Sequence, residues 1–135
     1  MSDDIIRIRR NWAQAVGARD ILGEIFYRNL FDIAPDTREM FPATLDEQGR
    51  KLVQTLSWIV DHLDQPEELS VAAADLARRH VAFGVEPEQY GAVGQALIAT
   101  LHSGLGDAFS SDDEVAWTRV YGSLSEKMIA AAYEA

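Results

Sequence analysis

Hydrophobic positions recur along most of the chain at the three- and four-residue intervals of an α-helix. In the first segment, Ile5, Ile8, Trp12 and Val16 form one apolar stripe, and clusters of glycine and proline fall only between segments of this kind. No stretch shows a convincing alternation of polar and apolar residues, which is the pattern of a half-buried strand. The sequence therefore predicts an all-α protein.

Six long helical segments and one short one are predicted from these intervals and from the residues between them. Ser2, Asp3 and Asp4 are suited to start the first helix, and Asp20 is a candidate cap for the second. The first helix is expected to end near Gly17. The other predicted ranges are Ile21–Phe31, Asp36–Met40 after Pro35, Asp46–Leu63 with Thr44 or Asp46 as cap, Leu69–His80, Pro87–Leu105, and Asp113–Tyr133 after a polar start at Ser110.

Composition narrows the class of protein. The chain has 135 residues, of which 47% are hydrophobic, so we expect one globular domain spanning residues 1–135. A net charge of −10 argues against nucleic acid and anionic membrane surfaces as partners. The chain has no cysteine, which excludes disulfides and cysteine ligands. The acidic amino terminus and the lack of a long apolar run predict neither a secretory signal nor a membrane span, and a cytoplasmic location follows as the expectation.

His80 is the first candidate for a functional residue. It stands near a predicted helix end, with the apolar residues Leu76, Phe83 and Val85 close in sequence. A neutral imidazole presented from a helix into an apolar space is a suitable ligand for haem iron. A histidine at a helix end also has a structural alternative, in which it interacts with carbonyls of its own helix. The rest of the chain decides between the two.

A series of aromatic and polar residues supports the first alternative. Trp12, Tyr27, the corner Pro35–Phe41, Gln48 and His80 follow one another along successive predicted helices. This order resembles the globins, and most closely the bacterial single-domain haemoglobins and the haem domains of flavohaemoglobins. The resemblance covers about residues 4–132. Its main segments are Phe26-Tyr27-Arg28-Asn29-Leu30-Phe31, Glu47-Gln48, His80–Val85 and Tyr90–Gln95.

The resemblance implies a globin fold of six to seven helices around a pocket for haem b. It also implies that His80 is the proximal ligand of the iron and that Phe41 packs on the haem ring. Tyr27, Gln48 and Leu52 would lie on the distal side, where two hydrogen-bond donors would stabilise a ligand that gains negative charge. Further candidate haem contacts are Lys51, Leu76, Arg79, Val85, Tyr90 and Val93.

Each assignment has an alternative that the residues alone leave open. Phe41 and Tyr27 would also suit ordinary core positions, and Gln48 would also suit a solvated helix surface. The short segment between Phe41 and Gln48 leaves the register of the distal helix open by about one turn. Lys51 is therefore a second candidate at the pocket mouth, as a partner of a haem propionate or of the iron, and Arg79 is a similar propionate candidate.

One position departs from the pattern of the flavohaemoglobin haem domains. In those proteins a tyrosine and a glutamate support the proximal histidine. Tyr90 matches the tyrosine, whereas Ala132 occupies the position that matches the glutamate. We therefore expect His80 to bond mainly to a backbone carbonyl, which favours reversible ligand binding over peroxidase-like chemistry. The other histidines, His62 and His102, are expected to be surface or structural residues.

The function implied by the resemblance is reversible, high-affinity binding of oxygen, with oxygen binding or transport as the role. Tyr27 with Gln48 also resembles the distal pair of bacterial globins that dioxygenate nitric oxide to nitrate. A chain of this length has no room for flavin and nicotinamide domains, so repeated turnover would need a separate reductase. The alternatives are a haem-based gas or redox sensor and a haem-free interaction protein. The expected ligands are oxygen, nitric oxide and carbon monoxide, and the chain is expected to be a monomer or homodimer.

Overall fold

The helical chain predicted from the sequence is confirmed by a computed structural model, which describes residues 2–41, 44–82 and 85–133. In these ranges it contains α-helices and short 3-10 helices, and no strand. The α-helices are α1 (Ser2–Ala15), α2 (Arg19–Ile33), α3 (Asp46–Asp61), α4 (Pro66–Ala82), α5 (Gln89–Leu105) and α6 (Ser111–Tyr133). The 3-10 helices are Val16–Ala18, Pro35–Met40 and Gly106–Ala108. Within the described ranges, no helix is long and apolar enough to cross a membrane.

Some predicted caps were wrong. The cap of α3 is Leu45, which makes no side-chain hydrogen bond to the helix, so neither Thr44 nor Asp46 caps it. Asp20 lies inside α2, which begins at Arg19. Propensity at a helix end is weak, and packing of the helix overrides it here.

The predicted capping chemistry before α6 is present. The Ser110 hydroxyl accepts from the Asp113 backbone N–H, and the Asp113 carboxylate accepts from the Ser110 backbone N–H, both at 3.1 Å. These reciprocal bonds satisfy two donors that a helix start leaves without partners. The helix accordingly begins at Ser111, two residues before the predicted start.

The main core lies where α1, α2, α5 and α6 meet, and α2 also packs against α3. By contrast, α4 packs mainly against α6. A smaller apolar cluster joins α4 to α5 and α6 through Ala73, Ala77, Tyr90 and Met128. This arrangement leaves a gap between α3 and α4, and the gap forms the candidate site.

A close crossing of α2 and α3 sets one wall of that gap. A Cβ atom placed on Gly23 would lie 2.7 Å from the Cα atom of Gly49, so any side chain at Gly23 would force the two backbones apart. Tyr27 follows Gly23 by one helical turn, and Gln48 precedes Gly49. The crossing therefore brings the phenol and the amide to the same wall.

Ion pairs to one buried carboxylate join α1 to α6. The Asp113 side chain is 1% exposed and accepts hydrogen bonds from Arg7 at 3.0 Å, Arg10 at 2.9 Å and Asn11 at 3.2 Å. Burial acts to raise the pKa of this carboxyl, but hydrogen bonds from Ser110, Asn11 and Arg7 outweigh it and hold the pKa below its ordinary value. The charged form of Asp113 therefore stabilises the contact between the two terminal helices.

Candidate functional site

A cleft between α3 and α4 holds nearly all of the residues singled out in the sequence. It has an interior volume of about 250 Å³ and opens to solvent. Its apolar walls come from five helices and the corner at Phe41. They comprise Phe26, Leu30, Phe41, Leu52, Leu56, Ile59, Leu76, Val85, Val93, Leu124 and Met128. Wide apolar walls with a few polar side chains are suited to a large apolar cofactor.

His80 is half-buried in the α4 wall and has a defined proton arrangement. Its Nδ1 lies 2.7 Å from the backbone oxygen of Leu76. Since a carbonyl oxygen can only accept, Nδ1 must carry the hydrogen, and in the neutral ring Nε2 then keeps its lone pair. The backbone hydrogen bond expected for His80 is therefore present, and it leaves Nε2 as the atom suited to bind a metal. The ring lies against Tyr90, with 5.9 Å between centroids.

Aromatic rings surround the corner at the far end of the cleft. The ring of Phe41 lies 5.1 Å from that of Tyr27 and 5.8 Å from that of Phe31, measured between centroids. Tyr27 also packs edge-on against Phe26 at 5.1 Å. Edge-to-face contacts at these distances stabilise a fixed arrangement of rings. Phe41 thus presents an aromatic surface held by its neighbours.

Tyr27 and Gln48 are brought together on the wall opposite α4. Tyr27 is 4% exposed, and burial raises the pKa of its hydroxyl to about 12, although a hydrogen bond from the Gln48 side chain lowers it in part. The Gln48 side chain carries an amide NH₂ that is able to donate to the phenol oxygen. The hydroxyl hydrogen of Tyr27 then remains available to a ligand in the cleft. Leu52, one turn beyond Gln48, adds an apolar contact.

The two basic candidates are placed differently. Lys51 lines the cleft and pairs with Glu47 at 3.6 Å, with 64% of its side chain exposed. Arg79 does not line the cleft. It pairs with Asp75 at 2.7 Å and faces a neighbouring cavity. The sequence does not distinguish these two basic residues. The orientation of each helix decides that Lys51 lines the cleft and that Arg79 does not.

Tyr121 is a cleft residue that sequence reasoning missed. Its hydroxyl donates to the backbone oxygen of Tyr90 at 2.6 Å. Burial, with Tyr90 nearby, raises the pKa of this phenol. A Cβ atom on Gly94 would lie 2.7 Å from the Tyr121 ring, so the absence of a side chain there makes room for it. Gly94 was the feature of the sequence that could have indicated this contact. The sequence does not show which side chain packs against the glycine.

A second missed contact closes the rim near the corner. The Gln89 amide donates to the sulfur of Met40 at 3.7 Å and accepts from the Glu86 backbone N–H at 2.8 Å. Met40 and Gln89 are distant in sequence, and both line the cleft. Nothing in their local sequence indicates the pairing, because it depends on how the corner packs on the start of α5.

The remaining histidines lie outside the cleft, in agreement with the prediction. His62 Nδ1 donates to the backbone oxygen of Trp58 at 2.7 Å, and its ring stacks on that indole. His102 Nε2 lies 2.5 Å from a carboxylate oxygen of Glu114. Phe83, which was expected beside His80, falls outside the residues that the structure describes.

Comparisons with known proteins agree with this geometry. The globin family pattern matches residues 24–128. A flavohemoprotein of Rhizobium meliloti is 33% identical over 104 residues, which is 75% of this chain and 26% of that protein. One from Deinococcus radiodurans is 35% identical over 107 residues, which is 77% of this chain and 27% of that protein. The chain thus spans about a quarter of the length of the curated relatives it matches.

Solved structures show the same fold. Ferric myoglobin of Aplysia limacina superposes with a TM-score of 0.85 at 20% sequence identity, and the match covers 96% of both chains. At this identity the likeness concerns the fold alone. The family pattern and the flavohemoprotein relatives show that this chain belongs to the globin family and support haem as its cofactor.

Proposed function

We propose that this globin holds haem b in the α3–α4 cleft and binds oxygen reversibly and with high affinity. The observation that carries the proposal is the pair formed by Tyr27 and Gln48 in the same cleft as His80, whose Nδ1 bonds to the Leu76 oxygen. One wall offers an imidazole as metal ligand, and the other offers hydrogen-bond donors. The relatives' name, flavohemoprotein, agrees with haem in this cleft.

The chain's own residues account for tight binding. When bound, ferrous haem supplies an iron site for a diatomic ligand and electron density that makes the ligand partly anionic. Tyr27 stays protonated because its pKa is about 12, so it donates at any physiological pH. A hydrogen bond to a charged group contributes roughly 1.5–3 kcal/mol, or about one to two decades in affinity. Slow release of oxygen follows.

Nitric oxide dioxygenation is a second candidate. It is favoured by the Tyr27–Gln48 pair and by the flavohemoprotein relatives, which are about four times as long as the matched part. Electrons would come from a reductase. Ala132 packs with the apolar cluster around Tyr90 and brings no carboxylate to His80, which disfavours peroxidase-like chemistry. Carbon monoxide and nitric oxide are the other expected ligands.

The first test is an absorption spectrum of the purified protein, oxidised, reduced with dithionite, and reduced under carbon monoxide. We expect a Soret band that shifts at both steps. The His80→Ala protein should either bind no haem or show no shift of the Soret band when it is reduced. His62→Ala is the matched control, since His62 makes the same 2.7 Å bond to a carbonyl four residues earlier but lies outside the cleft. A colourless protein that takes up no haemin would refute the proposal and leave a haem-free interaction protein.

A sensor function would show a different result. The haem spectrum would be retained, but the binding of a partner protein would depend on carbon monoxide. Equal capture of partners with and without carbon monoxide would remove this alternative.

A further inference from the structure

A second cavity adjoins the haem cleft along the α3–α4 gap. It has a volume of about 350 Å³ and is lined by apolar side chains that include Ile59, Leu69 and Leu76. Ile59 and Leu76 also line the haem cleft, as do Thr55 and Leu124, so the two cavities adjoin at these residues. A cavity of this size, mostly apolar with a few polar groups, is typical of a small-molecule site.

Two arginines lie at the edge of this cavity, and Asp75 lines it beside them. Arg79 pairs with Asp75 at 2.7 Å, and Arg78 lies 3.9 Å from the same carboxylate. Two guanidinium groups thus share one carboxylate, although the chain as a whole carries a charge of −10. The Arg79 side chain is 69% exposed, and the guanidinium has further N–H groups besides the one that faces Asp75. A planar guanidinium matches a carboxylate with two parallel hydrogen bonds.

An aromatic ring completes the lining. Trp58 lines the cavity, and its indole stacks on His62 with 3.9 Å between centroids and an angle of 14°. This stacking holds the indole in place, although the residue is 39% exposed. A fixed indole offers a large apolar contact to a flat ring at a small cost in conformational entropy.

We propose that this cavity binds a small aromatic carboxylate, with its ring between Trp58 and Leu76 and its carboxylate on Arg79. The proposal goes beyond haem and oxygen binding and requires neither. A bound ring would contact Leu76, whose carbonyl oxygen accepts the hydrogen bond from His80. The occupant would therefore touch the helical turn that positions the candidate iron ligand.

The test is calorimetric titration of the haem-loaded protein with 2-naphthoate, so that haem already fills the neighbouring cleft. We expect binding of one molecule, and binding about tenfold weaker for the neutral 2-naphthamide, because the charged hydrogen bond to Arg79 is lost. The Soret band is recorded first, so a failure to hold haem is seen separately. Protein without haem is titrated in the same way. In both titrations, the comparison of arginine variants decides whether Arg79 binds the naphthoate carboxylate.

Arg79→Gln should weaken naphthoate binding about tenfold, by the same loss of a charged hydrogen bond. Arg28→Gln is the matched control, because Arg28 is 66% exposed and pairs with Glu24 four residues earlier, as Arg79 pairs with Asp75. This control should bind like the unchanged protein. Equal affinity of both variants, or no heat with millimolar naphthoate, would overturn the proposal.

A larger side chain that fills the cavity tests whether naphthoate binds there. Ala72 lines the cavity and is only half-buried, so Ala72→Phe should occupy the space while retaining the fold, which circular dichroism checks. We expect this variant to lose naphthoate binding and to keep its haem spectrum. Unchanged binding by a folded Ala72→Phe protein would place the naphthoate elsewhere and refute the assignment.

Discussion

Two buried polar groups of this protein have opposite environments. Asp113, at the contact of α1 and α6, is surrounded by donors from Arg7, Arg10 and Asn11, and its pKa is lowered. Tyr27, in the cleft, is nearly as buried, but burial dominates and its pKa rises to about 12. The first environment stabilises a charge and holds α1 against α6. The second keeps a proton on the side chain, where a ligand can use it.

The largest effect is expected at Asp113. Asp113→Ala leaves two arginines and an amide without their shared acceptor, and should lower the free energy of unfolding by about 3 kcal/mol. Urea unfolding followed by circular dichroism measures this. Asp112→Ala is the control, because Asp112 is 80% exposed and lies 3.9 Å from Arg7. A similar loss in both variants would show that the buried position of Asp113 has no special weight.

The next effect concerns the ligand and not the fold. Tyr27→Phe removes the hydroxyl and keeps the ring packed on Phe41, so stability should change little while oxygen dissociation becomes about ten- to a hundredfold faster. Stopped-flow replacement of oxygen by carbon monoxide measures the rate. Tyr121→Phe removes another phenol hydroxyl of the cleft, but one that already donates to a backbone oxygen, and should change the rate far less. An unchanged rate in Tyr27→Phe would exclude the distal role.

A smaller change is expected at Gln48. Gln48→Leu removes the hydrogen bond with Tyr27 and a second donor of the cleft, and should speed oxygen dissociation severalfold. Gln54→Leu serves as control, since Gln54 is an exposed residue of the same helix. If the two variants release oxygen at the same rate, Gln48 makes no contribution to ligand binding.

Acidification gives the smallest effect and acts on Asp113. Its folded-state pKa lies below the ordinary value of 3.8, so its contribution to stability is complete above that value and is lost as the pH falls through the folded-state pKa. The difference in unfolding free energy between the unchanged protein and Asp113→Asn should therefore shrink between about pH 5 and pH 2. A difference that stays constant over this range would mean that the carboxylate is not stabilised by its partners.

The sequence predicted some parts of the site well and others not at all. Tyr27, Gln48 and His80 were singled out by their order along the helices, and the structure lines one cleft with all three. Tyr121 and Arg79 show the limit. A surface tyrosine and a cleft tyrosine look alike on a long helix, and only the rotation of α6 against Gly94 distinguishes them.

Local periodicity determined what depends on neighbours in sequence. The helices, the proline corner and the position of His80 near a helix end follow from residues a few places apart, because helical geometry acts over three and four residues. Tertiary structure alone decided which side chains meet. The contact of Gly23 with Gly49, the pairing of Tyr27 with Gln48, and the turn of Arg79 away from the cleft depend on how whole helices cross and rotate. Those contacts depend on the packing of the entire core, which no short stretch of sequence determines.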